Sequence, residues 1–130
     1  MKRMLVCLLL PLALFATNLR PVGYVNAAVT STPVQVNVVG TAPASFLQYN
    51  LSNPNSSQVW VQFFDAASPS AVSVGTTAPT LSMAIPPFGV TDGSVASPYV
   101  FQYGIIIAAT TTQTGSAAPS SAVQVQITYQ

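Results

Sequence analysis

The stretch AVQVQITYQ, residues 122–130, sets Val123, Val125, Ile127 and Tyr129 in alternation with Gln124, Gln126, Thr128 and Gln130. Successive side chains of a strand point to opposite faces, so this period of two describes a strand with one buried and one wet face. The same reading applies upstream. PVQVNVVG (33–40) places Val34, Val36 and Val38 on one face, and SFLQYNL (45–51) places Leu47, Tyr49 and Leu51 together. QVWVQFFD (58–65) puts Val59, Val61 and Phe63 on one face and Trp60, Gln62 and Phe64 on the other. TLSMAI (80–85) is a short strand stopped by Pro86 and Pro87. YVFQYGIIIAA (99–109) carries the run Ile105–Ile107, which describes a strand buried on both faces.

Turn chemistry separates these segments. GTAP (40–43), SNPNSS (52–57), SPS (68–70), GTTAP (75–79), PPFG (86–89), TDGS (91–94) and TGSAAPSS (114–121) each offer Gly, Pro or Asn where the chain must reverse. The low-complexity stretch 110–122 reads as a hairpin loop, with disorder as the alternative. No segment has a sustained helical period. The expectation is an all-β fold: a single antiparallel β-sandwich, Ig-like or jelly-roll-like, of about six to eight short strands.

The chain opens on MKRMLVCLLLPLALFA, in which Lys2 and Arg3 precede an apolar run from Met4 to Ala16. That run is shorter than the ~20 residues a bilayer requires. It fits a secretory signal peptide, with an uncleaved apolar anchor as the alternative. A small-residue cleavage site then falls after Ala27, in VNA (25–27), or after Ala16, in LFA (14–16). The expected division is a signal peptide over 1–27 and one sandwich domain over 28–130, in a secreted, periplasmic or cell-surface protein.

Charge then excludes several functions. Charged residues make up 4% of the sequence, against ~25% in ordinary soluble domains. Lys2, Arg3 and Arg20 are the only basic residues and all precede a cut after Ala27, which leaves Asp65 and Asp92. Nucleic-acid binding rests on Lys and Arg neutralising phosphates, and attachment to anionic lipid rests on the same residues. Neither partner is expected, and no membrane association is expected after cleavage. The lone cysteine, Cys7, sits in the apolar run, so residues 28–130 contain no disulfide.

The same inventory argues against catalysis. Beyond Ala27 there is no His, Lys, Arg, Cys or Glu, which removes the histidine triad, the thiol nucleophile and the usual zinc ligands. Asp92 precedes Gly93 and reads as a turn. Asp65 ends a strand and reads as a turn-initiating cap. An enzyme would need the two carboxylates in one pocket. No catalytic, cofactor-binding or metal-binding residue is expected.

Asn50-Leu51-Ser52 and Asn55-Ser56-Ser57 match the glycosylation acceptor pattern, a short and common one. Trp60, Phe63, Phe64, Phe88, Tyr99, Phe101 and Tyr103 are core candidates, with Trp60 against the opposite sheet. A solvent-exposed cluster of them would be a sugar-stacking platform.

The order of the middle elements carries a resemblance. LSNPNSSQVWVQFFDAASPSAVSVGTTAPTLSMAIPP, then FQYGIIIAATTT, then VQVQITYQ resembles a small domain of tailed-phage and prophage structural proteins. The resemblance covers roughly residues 45–130 and implies a β-sandwich in a virion or virion-like assembly, without catalysis. The signal peptide departs from it, since virion proteins are assembled in the cytoplasm. The last strand, with its penultimate Tyr129, also looks like subunits of chaperone–usher pili, in which an N-terminal alternating segment completes a neighbour's sheet. VQVNVV (34–39) would be that donor, although such pilins usually contain a disulfide.

These readings converge on a non-enzymatic structural or assembly module that binds itself or another structural protein. Val123, Val125, Ile127 and Tyr129 form the candidate self-association strand. A pilus or adhesin subunit and a polysaccharide- or surface-binding module are the alternatives.

Overall fold

The computed structural model describes residues 23–36 and 43–130, with residues 24–26 as backbone only. Residues 1–22 of the expected leader, Val38 of the first expected strand and most of the GTAP turn lie outside the described residues.

Eight strands follow in order: β1 (Gly23–Val29), β2 (Val34–Gln35), β3 (Ala44–Ser52), β4 (Val59–Asp65), β5 (Leu81–Ile85), β6 (Val90–Phe101), β7 (Ile105–Thr110) and β8 (Val123–Tyr129). Among the described residues the only helical element is a 3-10 turn at Pro69–Ala71. A front sheet has the order β1-β8-β3-β6 and a back sheet the order β2-β7-β4-β5. All pairings are antiparallel. The expected antiparallel β-sandwich is therefore the observed architecture.

The core lies between the sheets. Val123, Val125 and Ile127 of β8 meet Val59, Val61 and Phe63 of β4 there, with Phe46, Leu51, Phe101, Ile105 and Ile107. The alternation in β4 and β8 thus selects the inner face as the sequence implies. Burying one such side chain contributes about 1.5–3 kcal/mol. Phe46 stacks on Tyr49 at 6.0 Å and tilts against Phe63 at 5.2 Å between ring centroids.

Four local expectations are corrected. Leu47 does not share the inner face with Tyr49 and Leu51. The register of β3 against β8 shifts between Phe46 and Gln48, and this bulge moves Leu47 out and turns Phe46 inward. Asp92 and Gly93 form no turn; they lie within β6, opposite Asn50 and Tyr49. Segment 99–109 is two strands, because the chain leaves the front sheet after Phe101 and enters the back sheet at Ile105. Residues 111–122 are not a hairpin loop, since they also cross from one sheet to the other.

Most of β1, Gly23 to Ala27, was hidden within the expected leader. Its register against β8 runs from Gly23↔Tyr129 to Val29↔Val123. A Cβ on Gly23 would collide with the ring of Tyr129, so bare backbone at this position lets that ring settle across the strand pair.

Candidate functional site

Each outer face and each sheet edge is a place where a partner or ligand can act. On the back sheet, the outward row of β4 and β7 is apolar apart from the hydrogen-bonded pair Gln62 and Thr110. Phe64, Ile106, Ala108 and Val72 form a second buried cluster, flanked by Ala66 and Val74 of the following loop. Ile105–Thr110 is buried at every position, as a strand covered on both faces must be. The remaining cover comes from the loop after β7. Gln62 Nε2 donates to Thr110 Oγ1 at 2.7 Å and to the carbonyls of Thr112 and Gly115 at 3.3 and 3.1 Å. Gln62 Oε1 is buried without a partner. Trp60 occupies this outer row and is half-buried, rather than packing against the opposite sheet.

The front sheet presents the opposite chemistry. Register aligns Asn26, Gln126, Asn50 and Asp92 in one row across its four strands, and Tyr24, Thr128, Gln48 and Ser94 in the next. A shallow pocket of about 180 Å³ lies here, lined by Gln48, Tyr49, Asn50, Gln126 and Thr128. Among the described residues no loop roofs this face in the manner of the back sheet.

At one end, Asn53 and Asn55 tie three connections together. Asn53 Nδ2 donates to the carbonyls of Ser57, Ile85 and Pro86 at 2.9, 3.3 and 3.0 Å. Asn55 Nδ2 donates to Asn53 Oδ1 and to the Ser121 carbonyl, while Asn55 Oδ1 accepts from the Ser121 N–H and from Ser120 Oγ. The Asn55 amide is thus engaged and buried, which closes this glycosylation acceptor in the folded domain. Asn50 is exposed on the front face.

The carboxylates stand apart. Asp65 closes β4 in the back sheet, and Asp92 lies in β6 of the front sheet. Asp65 accepts from the N–H groups of Gln102, Tyr103 and Gly104 at 2.9, 2.7 and 3.4 Å. It caps a turn, but the one between β6 and β7 rather than its own. Neither carboxylate lines the pocket. Among the described residues no three His, Cys, Asp or Glu side chains form a metal-binding group, and no helix is long and apolar enough to cross a membrane.

The candidate self-association strand is fully used within the chain. β8 lies between β1 and β3, and Val123, Val125 and Ile127 are buried with Tyr129 packed beside them. Ala27, the expected cleavage position, lies in β1 opposite Val125 and packs against the core.

The edge formed by β6 has a different character. The exposed large hydrophobic residues of the described chain are Phe88, Val90, Tyr99, Val100 and Tyr103, at 45% to 74% exposure. All of them fall on β6 and the turns that flank it. Val95–Pro98 stand opposite the single residue Leu47, so a bulge interrupts the strand midway. Phe88 has φ +48°, in the left-handed region, where a bulky side chain is strained. Its turn is pinned by hydrogen bonds from Gly89 N to Pro86 O, from Phe88 N to Asn55 O and from Asn53 N to Gly89 O, at 3.1, 3.0 and 2.9 Å. The pinned backbone leaves the Phe88 ring 74% exposed. Of the expected aromatic core, Phe63, Phe64 and Phe101 are buried, whereas Phe88, Tyr99 and Tyr103 are not.

No protein-family model, curated protein or solved structure matches the chain.

Proposed function

We propose that the chain is a non-enzymatic subunit of a larger protein assembly, of a phage-virion or cell-surface kind, exported and docking to further copies through the β6 edge. The observation that carries this reading is that, among the described residues, the exposed large hydrophobics all fall within residues 88–103. They form two sets, Phe88 and Val90 at one end of β6 and Tyr99, Val100 and Tyr103 at the other, and large apolar side chains left exposed side by side in this way support an interaction surface. The low charge supports the same reading, because a nearly uncharged surface has little electrostatic resistance to association. Val95–Pro98 break the edge, so the favoured contact is through side chains on both sides of the bulge, not continued strand pairing.

Light scattering of the purified exported protein over a concentration series, with electron micrographs of the same samples, tests this. Discrete oligomers or lattices are expected, and the pair Phe88→Ser and Tyr103→Ser should weaken them at least tenfold. Fibres would favour the pilus-type subunit. A monomer at every concentration would sink the assembly reading.

The front face supports a second reading, binding of a neutral polysaccharide. Gln48, Asn50, Gln126 and Thr128 line an open uncharged pocket with amide and hydroxyl groups, which match the hydroxyls of sugars. Titration with neutral polysaccharides, with and without Gln126→Ala, separates it from the first.

A further inference from the structure

We infer that the leader is cut after Ala16 and that Gly23–Val29 stay as the first strand of the exported domain. This rests on the secretory half of the reading above. Both candidate sites offer a small residue before the cut: Ala16 in LFA and Ala27 in VNA. The choice follows from what each product keeps.

A cut after Ala27 would remove Gly23–Ala27 and leave only Ala28 and Val29 of β1. The pairs Gly23↔Tyr129 through Ala27↔Val125 would be lost, and β8 would become an open edge along most of its length. Tyr129, which lies over the bare backbone of Gly23, would lose that support. Ala27 itself would be missing from the margin of the core. Its small size is accounted for by this packing, in a strand whose inward row continues to the buried Val29.

A cut after Ala16 costs the domain nothing described. It also falls where the apolar run ends, whereas Ala27 lies beyond it and past Arg20 and Pro21. The reaction is hydrolysis of the Ala16–Thr17 peptide bond by a leader peptidase. Water adds across the bond, leaving a carboxylate on Ala16 and an amino group on Thr17.

The test is expression of the full chain with its own leader in a secreting bacterial host, followed by N-terminal sequencing and intact mass of the exported protein. A product starting at Thr17 is expected. Ala16→Leu should raise the ratio of precursor to product at least tenfold. A product starting at Ala28, or processing indifferent to Ala16→Leu, overturns the inference. An uncut chain retained in the cytoplasm overturns it together with the secretory reading, and leaves assembly to be judged by light scattering. A product starting at Thr17 that remains monomeric upholds the cut and sinks the assembly reading instead.

Discussion

The outer faces of the two sheets differ in what covers them. Behind β4 and β7, Phe64, Ile106 and Ala108 are apolar, and the chain folds its own loops over them. In front of β3 and β8, Gln48, Asn50, Gln124 and Gln126 face outward without such a roof. The difference follows from periodicity. β8 alternates strictly and needs one apolar contact surface. β7 is a continuous apolar run and needs two, so its second surface draws in residues 66–74 and 111–115 as cover. A polar outer face needs no such cover.

The sharpest way to break this contrast is Phe64→Ala. If the rear cluster is a true second core, the loss should be about 3–5 kcal/mol, similar to that of an inner-face phenylalanine. Urea denaturation of both Phe64→Ala and Phe63→Ala measures it; a rear cost below one third of the inner cost would mean the roof contributes little.

Gln62→Ala probes the roof's hydrogen bonds. The expected loss is about 1–2 kcal/mol, because the carbonyls of Thr112 and Gly115 lose a donor. Removal of the unpartnered Oε1 offsets part of that loss. Hydrogen exchange should quicken in residues 111–117 while β8 stays protected. Uniform quickening across both sheets would show that the roof is not a separable unit.

Asp65→Asn acts at the crossing from front to back. An amide keeps one acceptor oxygen, for Tyr103 and Gly104, but sets an NH2 group against the Gln102 N–H, and about 1 kcal/mol should be lost. A midpoint unchanged in thermal melts would remove Asp65 from the account of this turn.

The smallest effect is expected on the front face. Gln126→Ala should change stability by less than about 0.5 kcal/mol, as for exposed positions away from special features. A larger loss would make the amide rows structural and weaken their case as a ligand surface.

The sequence made some of this legible and concealed the rest for physical reasons. Val59, Val61 and Phe63, like Val123, Val125 and Ile127, announce their inward face because nothing interrupts their alternation. The run Ile105–Ile107 announces double burial. β3 misleads because its bulge changes parity after Phe46, and a bulge has no composition of its own. β6 was concealed because Asp92-Gly93 carries turn chemistry, although Gly93 serves close packing instead: a Cβ there would approach Tyr49 Oη at 2.8 Å. β1 was concealed because a cleavage motif and a strand that carries adjacent alanines look alike. The β6 edge could not be read in advance, since Phe88, Tyr99 and Tyr103 differ from Phe63 and Phe101 only in where the chain puts them. The one available signal was PPFG, a turn that places an aromatic where solvent is expected.

The pairing of β1 with β8 has a mechanical consequence. Gly23 and Tyr129 are cross-strand partners at one end of the same two strands. Tension applied between them pulls along the inter-strand hydrogen bonds, and these bonds break one after another as a zipper opens. Shear along the strands would load them together. A domain joined in this way resists sideways sliding far better than stretching between those two points.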